Sequence, residues 1–278
     1  MNILITGANG YLAKNFIKKL VGETNHRLIL LVRKGSDINE LIELVNNSNI
    51  ILYDGSRKSL QNLNNYKVDL VFHLANYYPD SKRPAIPEKI INSNLTLIID
   101  IVETLRVKGN NIPRIINVSS SVVNNNDDNS LYKITKKCAE SYLKSQMNCQ
   151  TYFLHNIYGK DDTRPKLINH LINSSKSGEK LKMMCHCDTK INLVYVKDVI
   201  EAFMLGLEKK PNSENDIYTD SLTLKEVVDT FNKVSENQVY VEWPRDEKIK
   251  NSNCIGSKTP TGWKPKYNLT SGLSEILK

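Results

Sequence analysis

The amino terminus constrains this chain most. An apolar strand, Met1-Asn2-Ile3-Leu4-Ile5, runs directly into Thr6-Gly7-Ala8-Asn9-Gly10-Tyr11-Leu12-Ala13. A strand that ends in a glycine turn and opens a helix is a phosphate-binding device. Gly7 lets the chain turn sharply, and Gly10 removes a side chain so that backbone N–H groups can approach a pyrophosphate. The helix running on to Val21 aims the positive end of its dipole at that anion. No Gly-Lys-Ser/Thr follows, which points to a dinucleotide site and away from a triphosphatase.

Beyond the turn, strand-like and helix-like segments alternate. Arg27–Val32 is continuously apolar, as expected for a strand buried on both faces. Asn49–Tyr53, Lys67–His73, Arg114–Ser119 and Gln150–Asn156 read as further strands. Ile90–Lys108 and Leu131–Gln146 carry apolar residues at helical spacing. This alternation predicts right-handed crossovers and an α/β fold, a doubly wound parallel Rossmann sheet with a smaller carboxyl-terminal substrate lobe. The expected division assigns 1–160 to the dinucleotide-binding domain, with 190–210 returning to it, and 161–189 and 211–278 to the substrate-binding lobe. In that lobe Leu167–Ser177 and Leu224–Val234 read as helices, the second capped by Thr223, and Lys182–Cys187 and Leu193–Val196 as strands. The cluster Asn124–Asn129 reads as a surface loop, and the tail from Asn251 ends in a helix from Ser271.

Composition excludes several classes. The 278 residues are 40% hydrophobic and 24% charged, ordinary for a globular protein, and no apolar run has membrane-spanning length. The first strand begins at once and leaves no room for a signal peptide, so the expectation is a cytoplasmic protein without a membrane partner. The net charge of +8 comes from scattered lysines and not from one basic run. That speaks against nucleic acid as a partner, while the field still favours an anionic nucleotide. The five cysteines have no regular spacing and form no disulfide framework. Cys185-His186-Cys187 is followed by no second ligand pair, and no metal is expected.

The chemistry gathers around Tyr132 and Lys136, four apart and on one helical face. A phenol is a poor acid–base group at its ordinary pKa near ~10, and a nearby ammonium favours the phenolate. Val118-Ser119-Ser120-Ser121 ends a strand at the carboxyl edge of the sheet, where doubly wound folds build their sites. A serine there can hold the same substrate oxygen as the tyrosine.

Motifs in order then mark a resemblance. They are the Thr6–Leu12 turn, Asp54-Gly55, His73-Leu74-Ala75, Asn94-Leu95-Thr96, Ser119-Ser120-Ser121, Tyr132-x-x-x-Lys136 with Cys138-Ala139-Glu140, Asn156-Ile157-Tyr158-Gly159, Tyr195–Val199 and Gly262-Trp263-Lys264-Pro265. The chain resembles the extended short-chain dehydrogenase/reductase family, the nucleotide-sugar epimerase/dehydratase group, over essentially its whole length. The resemblance implies that Gly7, Asn9, Gly10, Tyr11 and Leu12 hold the pyrophosphate turn. It places Asp54 and Gly55 at the adenine, and Leu74, Ala75 and Asn76 along the cofactor. Tyr132 becomes the acid–base residue and Lys136 its support on the nicotinamide ribose. Ser120 orients the substrate, with Ser121 as the alternative; Tyr77 and Asn156 are candidate substrate contacts. The substrate would lie between the two lobes, and relatives often form homodimers.

Departures carry information. No acidic pair follows the serines, which removes the acid and base that a dehydratase needs. Val32-Arg33-Lys34 stands where an NAD enzyme places an acid on the ribose diol, roughly 20 residues after the glycines. A guanidinium there pairs with a 2′-phosphate, which implies NADPH, with NAD still possible if Arg33 merely ends a strand and Asp37 reaches the ribose. The expected function is therefore an NADPH-dependent reductase of a 4-keto deoxy-sugar nucleotide, serving surface polysaccharide synthesis. An NAD-dependent 4-epimerase is the alternative, and a non-catalytic cofactor-sensing or RNA-binding protein is the alternative of another class.

Overall fold

The computed structural model describes residues 1–45, 49–106, 112–125, 128–146, 148–208, 213–244 and 258–278. The far end of the helix expected to reach Lys108, the Asn126-Asp127 pair, and the start of the tail including Cys254 lie outside them.

In chain order the elements are β1 (Asn2–Thr6), α1 (Tyr11–Glu23), β2 (Arg27–Arg33), α2 (Asn39–Leu44), β3 (Asn49–Tyr53), β4 (Leu70–His73), α3 (Pro87–Ile91), α4 (Leu97–Arg106), β5 (Arg114–Ser120), α5 (Leu131–Lys144), β6 (Cys149–Leu154), β7 (Asn156–Tyr158), α6 (Leu167–Ser177), β8 (Leu181–Lys182), β9 (Lys190–Tyr195), α7 (Val196–Glu208), β10 (Glu214–Ile217), β11 (Asp220–Thr223), α8 (Leu224–Val234), β12 (Val241–Glu242) and α9 (Leu269–Leu277). Contacts divide the chain into two compact units, Met1–Phe153 with Phe203–Asn215, and Leu154–Ala202 with Asp216–Lys278.

The first unit is built on a seven-stranded sheet in the order β10-β6-β5-β4-β1-β2-β3. The ladders β1·β2, β1·β4, β2·β3 and β4·β5 are parallel. The order reverses between β1 and β4, and that switch point opens a crevice at the carboxyl ends of the strands. Both faces are covered, which is why the strands are apolar without alternation. On one face Phe16, Phe72 and Phe203 form an aromatic cluster with centroids 4.5 to 5.5 Å apart. On the other, Leu4, Ile29, Val71 and Ile115 pack against Ile98, Ile101, Leu60 and Leu63.

Two departures from the sequence reading arise here. The helix expected over Ile90–Lys108 is broken by a π turn, Asn92–Thr96, between α3 and α4. Its extra residue per turn sends Asn94, a polar side chain, into the interior (0% exposed). A 3₁₀ segment, Arg57–Asn65, has no counterpart in the periodicity analysis, yet it buries Leu60 and Leu63.

The second unit has a three-stranded sheet, β11-β9-β7, and a parallel pair, β12·β8. The strand expected over Lys182–Cys187 is confined to Leu181–Lys182, because the chain bends at 184–185 and turns at 187–188. Thr223 caps α8 in a reciprocal box with Glu226. The Asp198 carboxylate accepts the backbone N–H groups of Lys266 (2.8 Å) and Tyr267 (2.9 Å), and the Trp263 indole donates to the Asp198 carbonyl (2.9 Å). Two sequence motifs far apart in the chain thus meet in one buried knot.

Candidate active site

A cleft of about 680 Å³ opens in the first unit at the switch point. Gly7, Asn9, Gly10, Arg33, Asp54, Gly55, Leu74, Ala75, Asn76 and Tyr77 line it, all of them singled out in the sequence. Tyr11 and Leu12 begin α1 beside it but are not lining residues, and nor is Asp37, whose Oδ1 accepts from the Asn39 N–H (3.0 Å).

The turn fits a dinucleotide on three counts. Gly7 has φ +63°, and a Cβ there would stand 2.7 Å from Ala75 Cα, so the backbones of two strands meet where a side chain cannot. No side chain caps α1 at Gly10, and no acid occupies its first turn, which leaves that helix end to an anion. Asn9 Oδ1 is buried without a hydrogen-bond partner among the described residues. A nicotinamide dinucleotide bound here would be held by Gly7, Gly10 and the α1 end. Arg33 and Lys34, both exposed at the end of β2, stand at the β2–β3 side of the cleft, and Asp54 stays ionised because Ser56 donates to it through side chain and backbone.

Tyr132 and Lys136 lie on α5, whose start is capped by Ser130. Both are buried, with 6% and 3% of their surface exposed. Asn76 and Ser120 are the polar side chains that bear on the Tyr132 phenol, each favouring its ionised form. Of the two candidate serines, Ser120 is the one whose side chain bears on the tyrosine. Ser121 begins the 3₁₀ turn Ser121–Asn124, and Ser120 Oγ accepts weakly from the Val122 N–H at 3.4 Å. Lys136 Nζ donates to the Val118 carbonyl (3.2 Å).

The electrostatics correct one expectation. Burial pushes the Tyr132 phenol up to about 12, outweighing the lowering by Asn76, Ser120 and the Arg83 charge. Lys136 is brought down to about 8 by its own burial. A lysine that is itself reluctant to stay charged, and that is spent on a carbonyl, does not bring the phenol below its ordinary value in this state.

Several site residues escaped the sequence reading. Arg83, Lys89, Asn92 and Ser93 also line the cleft. Asn94 grips the backbone of Tyr77 from both sides: its Oδ1 accepts the Tyr77 N–H (2.8 Å) and its Nδ2 donates to the Tyr77 carbonyl (3.1 Å). The Asn-Leu-Thr motif marked this position without showing its role. Tyr77 donates its hydroxyl to the Pro84 carbonyl (2.9 Å), and Tyr78 meets Tyr132 edge-on at 4.9 Å.

In the second unit, Asn156 is exposed and donates to the Asn192 carbonyl (3.1 Å). His155 is paired with Asp216 at 2.8 Å. His186, Cys187 and Asp188 bring one donor atom each within 4.8 Å of one another, on a turn beside Lys225.

Residues 3–219 match the family model described as the NAD dependent epimerase/dehydratase family. The chain belongs to that family. As a member of the NAD dependent epimerase/dehydratase family it is an enzyme whose cofactor class is a nicotinamide dinucleotide. It is 28% identical over 256 residues to the CDP-abequose synthase of Yersinia pseudotuberculosis, with 86% of each chain covered. With the dTDP-4-dehydro-6-deoxyglucose reductase of Escherichia coli it shares 24% identity, over 99% of this chain and 96% of the other. In fold it matches the UDP-glucuronic acid 4-epimerase of Bacillus cereus, solved in complex with NAD, with a TM-score of 0.81 at 17% identity over 100% and 95% of the two chains. No helix among the described residues is long and apolar enough to cross a membrane.

Proposed function

We propose that this enzyme is an NADPH-dependent reductase of a 4-keto deoxy sugar carried on a nucleotide. The observation that carries the reading is the cationic end of β2: Arg33 and Lys34 line the cleft where a ribose-binding acid would select NAD. Two cations there suit a 2′-phosphate, and a cofactor consumed and released suits a net reduction. The similarity to enzymes named as a synthase and a 4-keto sugar reductase supports the same direction.

A reduced nicotinamide supplies hydride when bound. The rest falls to this chain. Ser120 and Tyr132 hold the keto oxygen, and Tyr132 donates its proton as negative charge develops there. A phenol held high by burial stays protonated at neutral pH, so the proton is in place, and the negative charge that develops on the keto oxygen supplies the driving force for its transfer. Lys136 supports the ribose and the tyrosine. We assign substrate recognition to Tyr77 and to the second unit, beginning with Asn156. A homodimer formed through α4 and α5 belongs to the same reading.

The test is loss of 340 nm absorbance from NADPH and from NADH against CDP-, dTDP- and UDP-linked 4-keto-6-deoxy sugars. Turnover with NADPH, at least tenfold slower with NADH, supports the reading. Replacing Arg33 by Ala then narrows that preference by roughly 10- to 100-fold, about 1.4 to 2.7 kcal/mol. Purified enzyme that retains NAD and turns over no keto sugar with added cofactor is the signature of the 4-epimerase.

A further inference from the structure

In the second unit, the chain passes from β8 to β9 through a turn that gathers metal-binding side chains. His186 Nδ1 stands 3.8 Å from Cys187 Sγ and 3.5 Å from Asp188 Oδ2, and one donor atom from each residue lies within 4.8 Å of the others. In the sequence no second ligand pair follows Cys185-His186-Cys187. The turn supplies Asp188 as a third donor instead.

These separations match the edges of a coordination tetrahedron. An ion with bonds of ~2.0 Å to nitrogen and oxygen and ~2.3 Å to sulfur holds N and O about 3.3 Å apart, and N and S about 3.5 Å apart. The two measured edges exceed those values by only a few tenths of an ångström.

The backbone of the turn is already fixed. The Thr189 N–H donates to the His186 carbonyl (3.0 Å) and closes it. The first residues of α8 pin it from the other side: the Lys225 N–H donates to the Cys187 carbonyl (2.9 Å) and the Leu224 N–H to the Thr189 carbonyl (2.9 Å). Donors on a pinned turn lose little further freedom on binding. The Asp188 N–H reaches His186 Nδ1 at 3.2 Å, a long bond that coordination there would displace. His186 and Cys187 are half-buried and Asp188 is exposed, which gives an ion a way in from solvent. The cation beside the turn does not cancel the site, because Lys225 Nζ is held 2.6 Å from Asp229 on α8.

We propose that His186, Cys187 and Asp188 form a Zn²⁺ site with an open fourth position. The donor set selects the ion. A thiolate disfavours Mg²⁺ and Ca²⁺, and a carboxylate beside an imidazole suits a borderline cation over a purely soft one. One thiolate, one carboxylate and a neutral imidazole balance a dication. Coordination takes Cys187 as the thiolate, its proton going to the buffer. The site needs neither cofactor nor sugar, so it stands or falls apart from the proposed reduction.

The test uses the untagged full chain, reduced with a phosphine and stripped of metal, then titrated with Co²⁺ alone and with Zn²⁺ alone. Cobalt reports its own ligands: a thiolate gives an intense near-ultraviolet charge-transfer band, and tetrahedral geometry gives strong visible bands. Both are expected, saturating at one ion per chain and abolished by added Zn²⁺. Zn²⁺ itself binds with a Kd of about 10 μM or tighter and raises the thermal midpoint. Cys187→Ser removes the charge-transfer band and weakens Zn²⁺ binding at least about tenfold, and His186→Ala weakens it as much. Asp188→Asn weakens it less, because an amide oxygen still coordinates without the charge. Cys185→Ser and Cys138→Ser keep both band and affinity. The midpoint of each variant without metal verifies folding, and Cys187→Ala repeats the readout should serine disturb the turn. A saturated cobalt complex without the charge-transfer band overturns the proposal, as does Zn²⁺ binding weaker than stated. So does a band that survives loss of the Cys187 thiol, or one that disappears in Cys185→Ser or Cys138→Ser.

Discussion

Thr6 Oγ1 stands 2.9 Å from His73 Nδ1, and that contact decides where the histidine keeps its proton. The same oxygen accepts the backbone N–H groups of Leu74 (3.1 Å) and Ala75 (3.0 Å). Its one hydrogen is therefore left for His73 Nδ1, and His73 is the neutral Nε2–H tautomer. Nε2 is buried without a partner among the described residues, and burial plus the Lys136 charge bring His73 down to about 3. His73 is thus a hydrogen-bonded core residue that ties the glycine turn to the end of β4.

Two outcomes follow from that tie. The folded His73 pKa lies below its unfolded value of 6.5, so below pH 6.5 the unfolded chain takes a proton that the folded chain refuses. Stability is fully present above pH 6.5 and falls as pH drops toward 3. In His73→Phe the slope of urea stability against pH between 6.5 and 4 is shallower, and an unchanged slope counts against the tautomer argument. Thr6→Val leaves Nδ1 and two N–H groups without their partner and costs about 2–4 kcal/mol at pH 7.

Gly7→Ala separates close approach from backbone conformation. The new Cβ would lie 2.7 Å from Ala75 Cα and 2.8 Å from Ala75 N, atoms of a central strand end that cannot give way. Gly55 also has positive φ, +98°, but a Cβ there meets nothing within 4 Å. Gly55→Ala therefore costs about 1 kcal/mol of strain and keeps dinucleotide binding. Gly7→Ala costs about 2–4 kcal/mol and weakens NADPH binding more than tenfold. Calorimetric titration with NADPH checks both; similar affinities for the two variants would refute the contrast.

Much of this architecture is legible in the residues, because a sheet buried on both faces writes continuous apolar strands and a glycine turn has few other uses. The illegible parts are those where the backbone leaves a simple period. The π turn at Asn92–Thr96 inserts a residue into a helical pattern, so Asn94 reads as an outlier until its grip on Tyr77 is seen. The 3₁₀ segment Arg57–Asn65 buries two leucines three apart, too few to register as a helix. Lys182–Cys187 alternates like a strand, but little of it has a partner to pair with. At the site, Arg83 is one basic residue in a polar loop, and only its closure onto Asp80 gives it a direction. The phenol at Tyr132 is a reminder that spacing places a charge but burial decides its effect.

Asn94 itself is testable. Asn94→Ala releases both the N–H and the carbonyl of Tyr77 in a buried setting and costs about 2–4 kcal/mol. Asn94→Asp keeps the acceptor for the N–H but turns a second carboxylate oxygen toward the Tyr77 carbonyl, which removes the donor and adds repulsion. Both variants lower the thermal midpoint. If the grip positions the cleft, both also raise KM for NADPH at a temperature where they are fully folded. An unchanged KM would confine Asn94 to stability.

Lys136 makes the last prediction, in which a site residue weakens the fold. Its folded pKa, about 8, lies below the 10.5 of an unperturbed lysine. Below pH 8 both folded and unfolded chains carry the ammonium, and the folded chain bears the full cost of burying it. Between about 8 and 10.5 the unfolded chain still holds a proton that the folded chain has lost, so stability rises with pH across that window. The size is about 3 kcal/mol at most. Lys136→Met keeps the length of the side chain and removes the charge, so its stability lacks that rise. It also gives up the bond to the Val118 carbonyl, which offsets part of the gain at neutral pH by about 1 kcal/mol. Urea melts of both proteins at pH 7, 8, 9 and 10 read the difference, in which the opposite trend that the buried tyrosines add near pH 10 is common to both and cancels. A difference that grows steadily smaller toward pH 10 is the expected result, and a constant difference would show that Lys136 is buried without strain. Turnover of Lys136→Met falls at every pH, so this residue trades stability for the site it serves.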